Sequence, residues 1–176
     1  VGVHPRLFVD EAKFETLRNM RHTRVRRYVD SLVAAADAAA ARGCPASRAE
    51  PGDHRGAGAH LPCLALAWRV TGKEHYLDTA AEHLSTLGAW ETWGTDLVWG
   101  HFAHGYAVAL DWLWPDLDER QRGSLIDDLV RHTMHFFDTW RACRSGIAYA
   151  YLANHHTVAL AGLSAAGSAL YGERPD

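Results

Sequence analysis

The chain alternates between two kinds of helical segment, and this alternation limits its fold more than any single motif. The stretch "AHLPCLALAWRVTG" (59–72) is apolar nearly all round, a pattern that is stable only where neighbours cover most of the helix. The next, "KEHYLDTAAEHLSTLG" (73–88), is amphipathic: Tyr76, Leu77, Ala80, Leu84 and Leu87 share one stripe while Lys73, Glu74, Asp78 and Glu82 face water. "TDLVWGHFAHGYAVALDWLW" (95–114) is again apolar on most sides, with Gly100, Ala103 and Ala107 permitting close helix approach. "DERQRGSLIDDLVRHTMHFFDTW" (118–140) returns to a stripe of Leu125, Ile126, Leu129, Thr133, Phe136 and Trp140, opened by a capping box of Asp118 and Gln121. "YLANHHTVALAGLSAAGSALYG" (151–172) is small and apolar all round. An inner, outer, inner, outer, inner order is what stacked helical hairpins produce when one layer sheathes another, as in solenoids and α/α toroids.

Strand signals are nearly absent, so the fold class is all-α. Two earlier helices are predicted, "DEAKFETLRNM" with Asp10 as N-cap and "TRVRRYVDSLVAAADAAAARG" starting at Thr23 and ending at Gly43. The Gly- and Pro-containing segment 44–58 reads as a surface connection, and Pro62 fits a helix only in its first turn. "ALAWRVTGKE" and "AAGSALYGER" resemble each other, each closing an apolar helix on a Gly. Links from inner to outer helices are tight ("TGK", "PDL"), whereas the return links are longer ("GAWETWG", "CRSGIA"). Long links and the heads of inner helices therefore share one end, which collects His60, Trp90, Trp93, Asp96, Trp99, His101, Asn154 and His155.

Composition narrows the function classes. At 176 residues, 48% apolar and 22% charged, the chain supports one ordinary hydrophobic core. A net charge of -3 with twelve His uncounted provides no field for holding nucleic acid by counterion release. The basic cluster "RHTRVRRY" (21–28) reads either as a solvated helix face or as a contact for a sulfated or carboxylated polymer. Three Cys with no C-x-x-C spacing indicate neither a disulfide framework nor a zinc knuckle. No apolar run of about 18 residues and no leader pattern occur. Because it starts at Val1 and stops just after a helix, the chain reads as an excised piece of a longer protein.

The chemistry-bearing candidates are few. Asn154 and His155 sit in the first turns of an otherwise dry helix, where an amide and an imidazole must be hydrogen-bonded or face a cleft; they are either a capping pair or part of a groove. His156 points further away and is a second choice. His101 with His104, and His132 with His135, have a spacing that can share a metal, but neither forms "HExxH", and no metal is assigned. P-loop and "GxSxG" motifs are absent, and no cofactor is implied. Asp111 in "LDWLW" reads as an ion-paired or partly exposed acid. Trp90 and Trp93 read as either a sugar-stacking wall or loop packing, and the seven Trp as a whole as either core or stacking surface.

"HPRLF" (4–8), "LALAWRVTGKEHYLDTA", "GHFAHGYAVALDWLWPDLDERQR" and "YLANHHTVALAGLSAAGSALYGE", in this order and spacing, resemble the heparinase II/III type of polysaccharide lyases and their relatives, including oligoalginate lyases and dermatan-sulfate epimerase. The likeness spans nearly the whole chain. It implies that residues 1–176 are the first part of an incomplete α/α toroid that β-sheet domains follow in the same parent protein. It implies further a uronic-acid-containing polysaccharide as substrate, cleaved by β-elimination, with Asn154 and His155 as catalytic residues and Trp93, Trp99, His101 and His156 as substrate contacts. An amide at Asn154 would neutralise the uronate carboxylate and an imidazole at His155 would accept a proton or hold that carboxylate. The family's general-acid Tyr and further His lie past the end of this chain, so the resemblance implies half a site here, with weak binding and little turnover alone. Secretion or a periplasmic location is implied for the parent. Two other readings stay open: a C5-epimerase using the same site, and a non-catalytic helical carbohydrate-binding or scaffold module.

Overall fold

A computed structural model describes residues 3–47, 54–144 and 154–174. Among them are seven α-helices and no strand: α1 (Glu11–Met20), α2 (Arg26–Arg42), α3 (His54–Thr71), α4 (Glu74–Gly88), α5 (Leu97–Leu113), α6 (Glu119–Arg141) and α7 (Asn154–Leu170), with a 3-10 turn at Trp114–Asp116. The connections at 48–53 and 145–153, which include most of "CRSGIA" and the start of "YLANHH", lie outside the described residues.

Local signals fixed several ends as predicted. Asp10 caps α1 by accepting from the Lys13 amide, and Asp118 with Gln121 forms the full capping box of α6. Gly43, Gly72 and Gly172 all have left-handed φ, so the two look-alike segments do end on the same backbone device. Two boundaries differ from expectation. Thr23 does not start α2; its hydroxyl turns back to donate to the Met20 carbonyl, 2.7 Å away, and helps close α1, while α2 begins at Arg26. Helix α3 begins at His54 inside the predicted connection, which leaves Pro62 in the helix interior.

The reason lies in how α3 meets α5. A Cβ on Gly58 would lie 2.9 Å from the His101 carbonyl oxygen, and one on Gly105 would lie 1.9 Å from the Gly58 carbonyl oxygen. The two backbones therefore touch, and packing offsets the poor helix propensity of the glycines. Pro62 has no N–H to offer the carbonyl four residues back, which is that of Gly58. That carbonyl lies against the Gly105 backbone instead, a position only glycine allows. The same contact recurs between α5 and α7: a Cβ on Gly100 would be 2.6 Å from the Val158 oxygen, and one on Gly162 would be 2.7 Å from the Gly100 oxygen.

Helices α3, α5 and α7 consequently lie side by side, and α5 packs most extensively on its two neighbours. They run parallel. Asp96 and His155 meet at the heads of α5 and α7, while Arg69 near the tail of α3 pairs with Asp116 just past the tail of α5. Helices α4 and α6 lean on each other and cover this row from one side, and α2 packs on α3. The buried stripes match the periodicity: Tyr76, Ala80, Leu84 and Leu87 on α4, and Leu125, Ile126, Leu129, Thr133 and Phe136 on α6. Helix α7 departs from it. Ala159, Gly162, Ala165, Ala166 and Ala169 are buried, whereas Thr157, Leu160, Ala161, Ser164 and Ser168 are exposed, because no described element lies over its far face.

The tail end of the row is locked by the segment "HPRLF". Asp111, fully buried on α5, accepts from the His4 ring at 2.5 Å and from the backbone N–H groups of Arg6 and Leu7 at 2.8 Å each. Arg6 reaches Glu173 at 3.1 Å and donates to the Tyr171 carbonyl at 2.6 Å, so the N-terminal strap bridges α5 to the residues after α7. The Trp112 indole donates to the Leu7 carbonyl at 2.8 Å, and the His4 ring stacks on Trp114 with centroids 4.1 Å apart. Asp111 is thus ion-paired and wholly enclosed.

Asp111→Ala orphans these buried donors and is expected to lower the unfolding free energy by about 3 kcal/mol or more, with Asp111→Asn, which keeps an acceptor, losing less. Denaturant titration checks both; equal stability of wild type and Asp111→Ala would contradict the strap. Gly105→Ala should cost about 3 kcal/mol by forcing α3 from α5. Gly123→Ala, on the open face of α6 with nothing near its Cβ position, should gain about 0.5–1 kcal/mol in the same titration.

Candidate functional site

The parallel row brings the heads of α5 and α7 together, and there Asp96 and His155, 59 positions apart, form a pair. Asp96 ends an extended segment and caps α5, its Oδ1 accepting from the Leu97 amide at 2.6 Å. The same oxygen lies 2.9 Å from Nδ1 of His155 in the first turn of α7. A carboxylate can only accept, so Nδ1 is the donor, and in a neutral imidazole Nε2 would then carry the lone pair. The His155 side chain is 44% exposed and that of Asp96 60%, so the ring is reachable from solvent. Asn154, the first residue of α7, is exposed beside it. The pair is open to a ligand rather than sealed in protein.

His101 and His156 are partly buried near this end. The His156 ring is tilted by 55° against that of Trp140, with centroids 6.4 Å apart. His101 stands one turn before His104, on which burial, with the His101 charge adding, holds the proton affinity below the usual imidazole range.

The two tryptophans expected to contact substrate are elsewhere. Trp93 and Trp99 are each 0% exposed. The Trp93 indole donates to the Leu87 carbonyl at 2.7 Å and its ring stacks on His132, centroids 4.0 Å apart. Trp99 donates to the His132 carbonyl at 3.1 Å and stacks on Phe136 at 3.8 Å. Trp90, the other member of the expected wall, is 4% exposed and edge-on to Phe102. Each indole has a backbone acceptor or an aromatic neighbour that fixes it, so these rings are core and offer no face to a sugar.

His132 is part of this packing and not a metal ligand pair with His135. Its Nε2 donates to the Gly88 carbonyl at 3.0 Å and its ring is enclosed by Trp93. Burial pushes it down to about 4, against the pull of the Gly88 carbonyl. Among the described residues no group of three or more His, Cys, Asp or Glu is placed to hold a metal, and no helix is long and apolar enough to cross a membrane.

Asp96 is the residue whose role was not read from sequence. Its one local sign was an acid immediately before the helical run "LVWGHF", which marks a cap; helix order placed it at the same end as His155 but assigned no pairing. Comparison with known proteins returned no family model that matches the chain and no match among curated proteins.

The His132 environment has a consequence for stability. An unfolded imidazole binds a proton below about pH 6.5 while the folded one stays neutral until about 4, so between these values the unfolded state binds more protons and stability falls as pH falls. Wild type is expected to lose about 3 kcal/mol through this group over that window. His132→Gln, which keeps a donor toward Gly88, should show a shallower loss in denaturant titrations at pH 7, 5.5 and 4. Identical slopes would refute the assignment.

Proposed function

We propose that the chain is the opening part of an α/α toroid in a polysaccharide lyase that cleaves a uronic-acid-containing polymer by β-elimination, with Asn154 and His155 at the site. The supporting observation is the exposed head of α7, where Asp96 holds Nδ1 of His155 and Asn154, the preceding residue, is exposed. A parallel row of helices with their heads at one end is also the arrangement a toroid needs. Its closure by further hairpins over the open face of α7 belongs to the proposal.

The chemistry suits these groups. The C5 hydrogen of a uronate is barely acidic while the carboxylate keeps its charge, since removing it puts a second negative charge next to the first. An Asn154 N–H donated to a carboxylate oxygen lowers that cost by stabilising the enolate-like intermediate. His155 Nε2 takes the C5 proton or holds the carboxylate, and Asp96 stabilises the imidazolium if one forms. The C5 electron pair then forms the C4–C5 double bond, the C4–O4 bond breaks, and O4 leaves with a proton from a group that the resemblance places beyond residue 176. Asp96 is a positioning residue: it acts through His155 and touches no reacting atom.

In the whole protein, activity is read as absorbance of the new double bond conjugated to the carboxylate, on heparan, chondroitin, hyaluronan and alginate in turn. His155→Ala is expected to lower kcat by about 10²–10⁴-fold and Asn154→Ala by about 10²–10³-fold, with folding retained. Asp96→Asn still caps α5 and should lower kcat by about tenfold or more at unchanged KM, with a displaced limb in the pH profile. Full activity in both Asn154→Ala and His155→Ala removes the assignment; C5 inversion without a new double bond would redirect it to an epimerase.

A further inference from the structure

We propose that a basic cleft at the tail end of the helix row, opposite Asn154 and His155, binds an anionic group of an acidic oligosaccharide. Residues 21–27 carry four Arg and no acid in a chain whose net charge is -3, so positive charge is concentrated there against the overall balance. The turn between α1 and α2 brings Arg21, His22 and Arg26 opposite Thr71 and Lys73, which join α3 to α4, around a cleft of about 350 Å³. That volume lies within the range of small-ligand sites.

The charges in this cleft are largely uncompensated. Asp30 is the one acid in its wall, and it lies 3.7 Å from Arg26 with both side chains well exposed. Among the described residues Arg21, Arg24, Arg27 and Lys73 form no ion pair within 4.0 Å. Arg21 Nε donates to His22 Nε2 at 2.8 Å, which holds the guanidinium in place. Helix α2 starts here without a side-chain cap and without an acid in its first turn, so the partial positive charge of its N-terminus adds to the same field. The anchored Arg21 guanidinium, with the Arg26 guanidinium and the Lys73 ammonium around the same cleft, suits a sulfate or carboxylate oxygen.

The cleft lies about 25 Å along α3 from the heads of the row, so it is separate from the candidate catalytic groups and would hold a different stretch of the polymer or a second chain of it. That the anion is carried by a sugar polymer rests on the proposed function; that the cleft takes an anion rests on its own charges.

The test is calorimetric titration of the protein with a heparin-derived hexasaccharide, with inorganic sulfate and a short single-stranded DNA as comparison probes. The triple variant Arg21→Glu, Arg26→Glu, Lys73→Glu changes only surface charge and its melting curve should match wild type. It is expected to weaken hexasaccharide binding at least about tenfold and to flatten the salt dependence. Unaltered affinity in the triple variant overturns the proposal, as does DNA or sulfate binding as tightly as the hexasaccharide. If the charge variant abolishes binding while the whole protein eliminates no uronate, the cleft stands and the lyase reading fails; if turnover is seen but the triple variant binds normally, the reverse holds.

Discussion

Direct backbone contact between helices, made at Gly58 with Gly105 and at Gly100 with Gly162, is the constraint on which the rest of the structure depends. With Cβ atoms at these positions α3, α5 and α7 would stand further apart, and the heads of α5 and α7 would no longer bring Asp96 within hydrogen-bonding distance of His155. Contact at this range also explains why an interior proline is tolerated. Pro62 leaves the Gly58 carbonyl without its helical donor, and the α3–α5 seam is where that carbonyl lies. The glycine and the proline are therefore one device: each would destabilise an isolated helix, and together they let two helices meet.

The two ends of the row differ in what their polar groups do. At the tails, Asp111 is saturated by the His4 ring and two backbone N–H groups, and Arg69 is shared between Glu11 and Asp116. Burial raises the proton affinity of the Glu11 carboxyl, but Arg18 and Arg69 outweigh it and hold the group below the usual carboxylate range. These paired charges, with Asp111 and Arg69 buried and Glu11 at the surface, join the N-terminal strap and α1 to the row. At the heads, the Asp96–His155 pair is exposed and only Nδ1 of the imidazole is engaged by Asp96. A rigid, pinned tail and an open head are what a site on a firm scaffold requires.

Aromatic side chains carry the link between layers. Trp93 and His132 stack, Trp99 and Phe136 stack, and both indoles donate to backbone carbonyls of the outer helices. The tryptophans expected to contact a sugar instead hold α4 and α6 onto α5. The proposed site at the heads therefore has Asn154, His155 and the partly buried His101 and His156 at its disposal, without an aromatic wall from loop 89–96.

Sequence by itself determined the all-α class, the alternation of apolar and amphipathic helices, the caps at Asp10 and Asp118, and the closing glycines at 43, 72 and 172. Each of these is decided within one or two turns, by periodicity or by a hydrogen bond spanning three or four residues, so the local chain holds all the information needed. Tertiary structure alone decided that α3 starts at His54, that Thr23 closes one helix and starts none, that Trp93 and Trp99 are enclosed, that one face of α7 is uncovered by the other described residues, and that Asp96 meets His155 across 59 positions. Those outcomes depend on which backbone lies against which, and a tryptophan or histidine has the same residue type whether a neighbouring helix covers it or not.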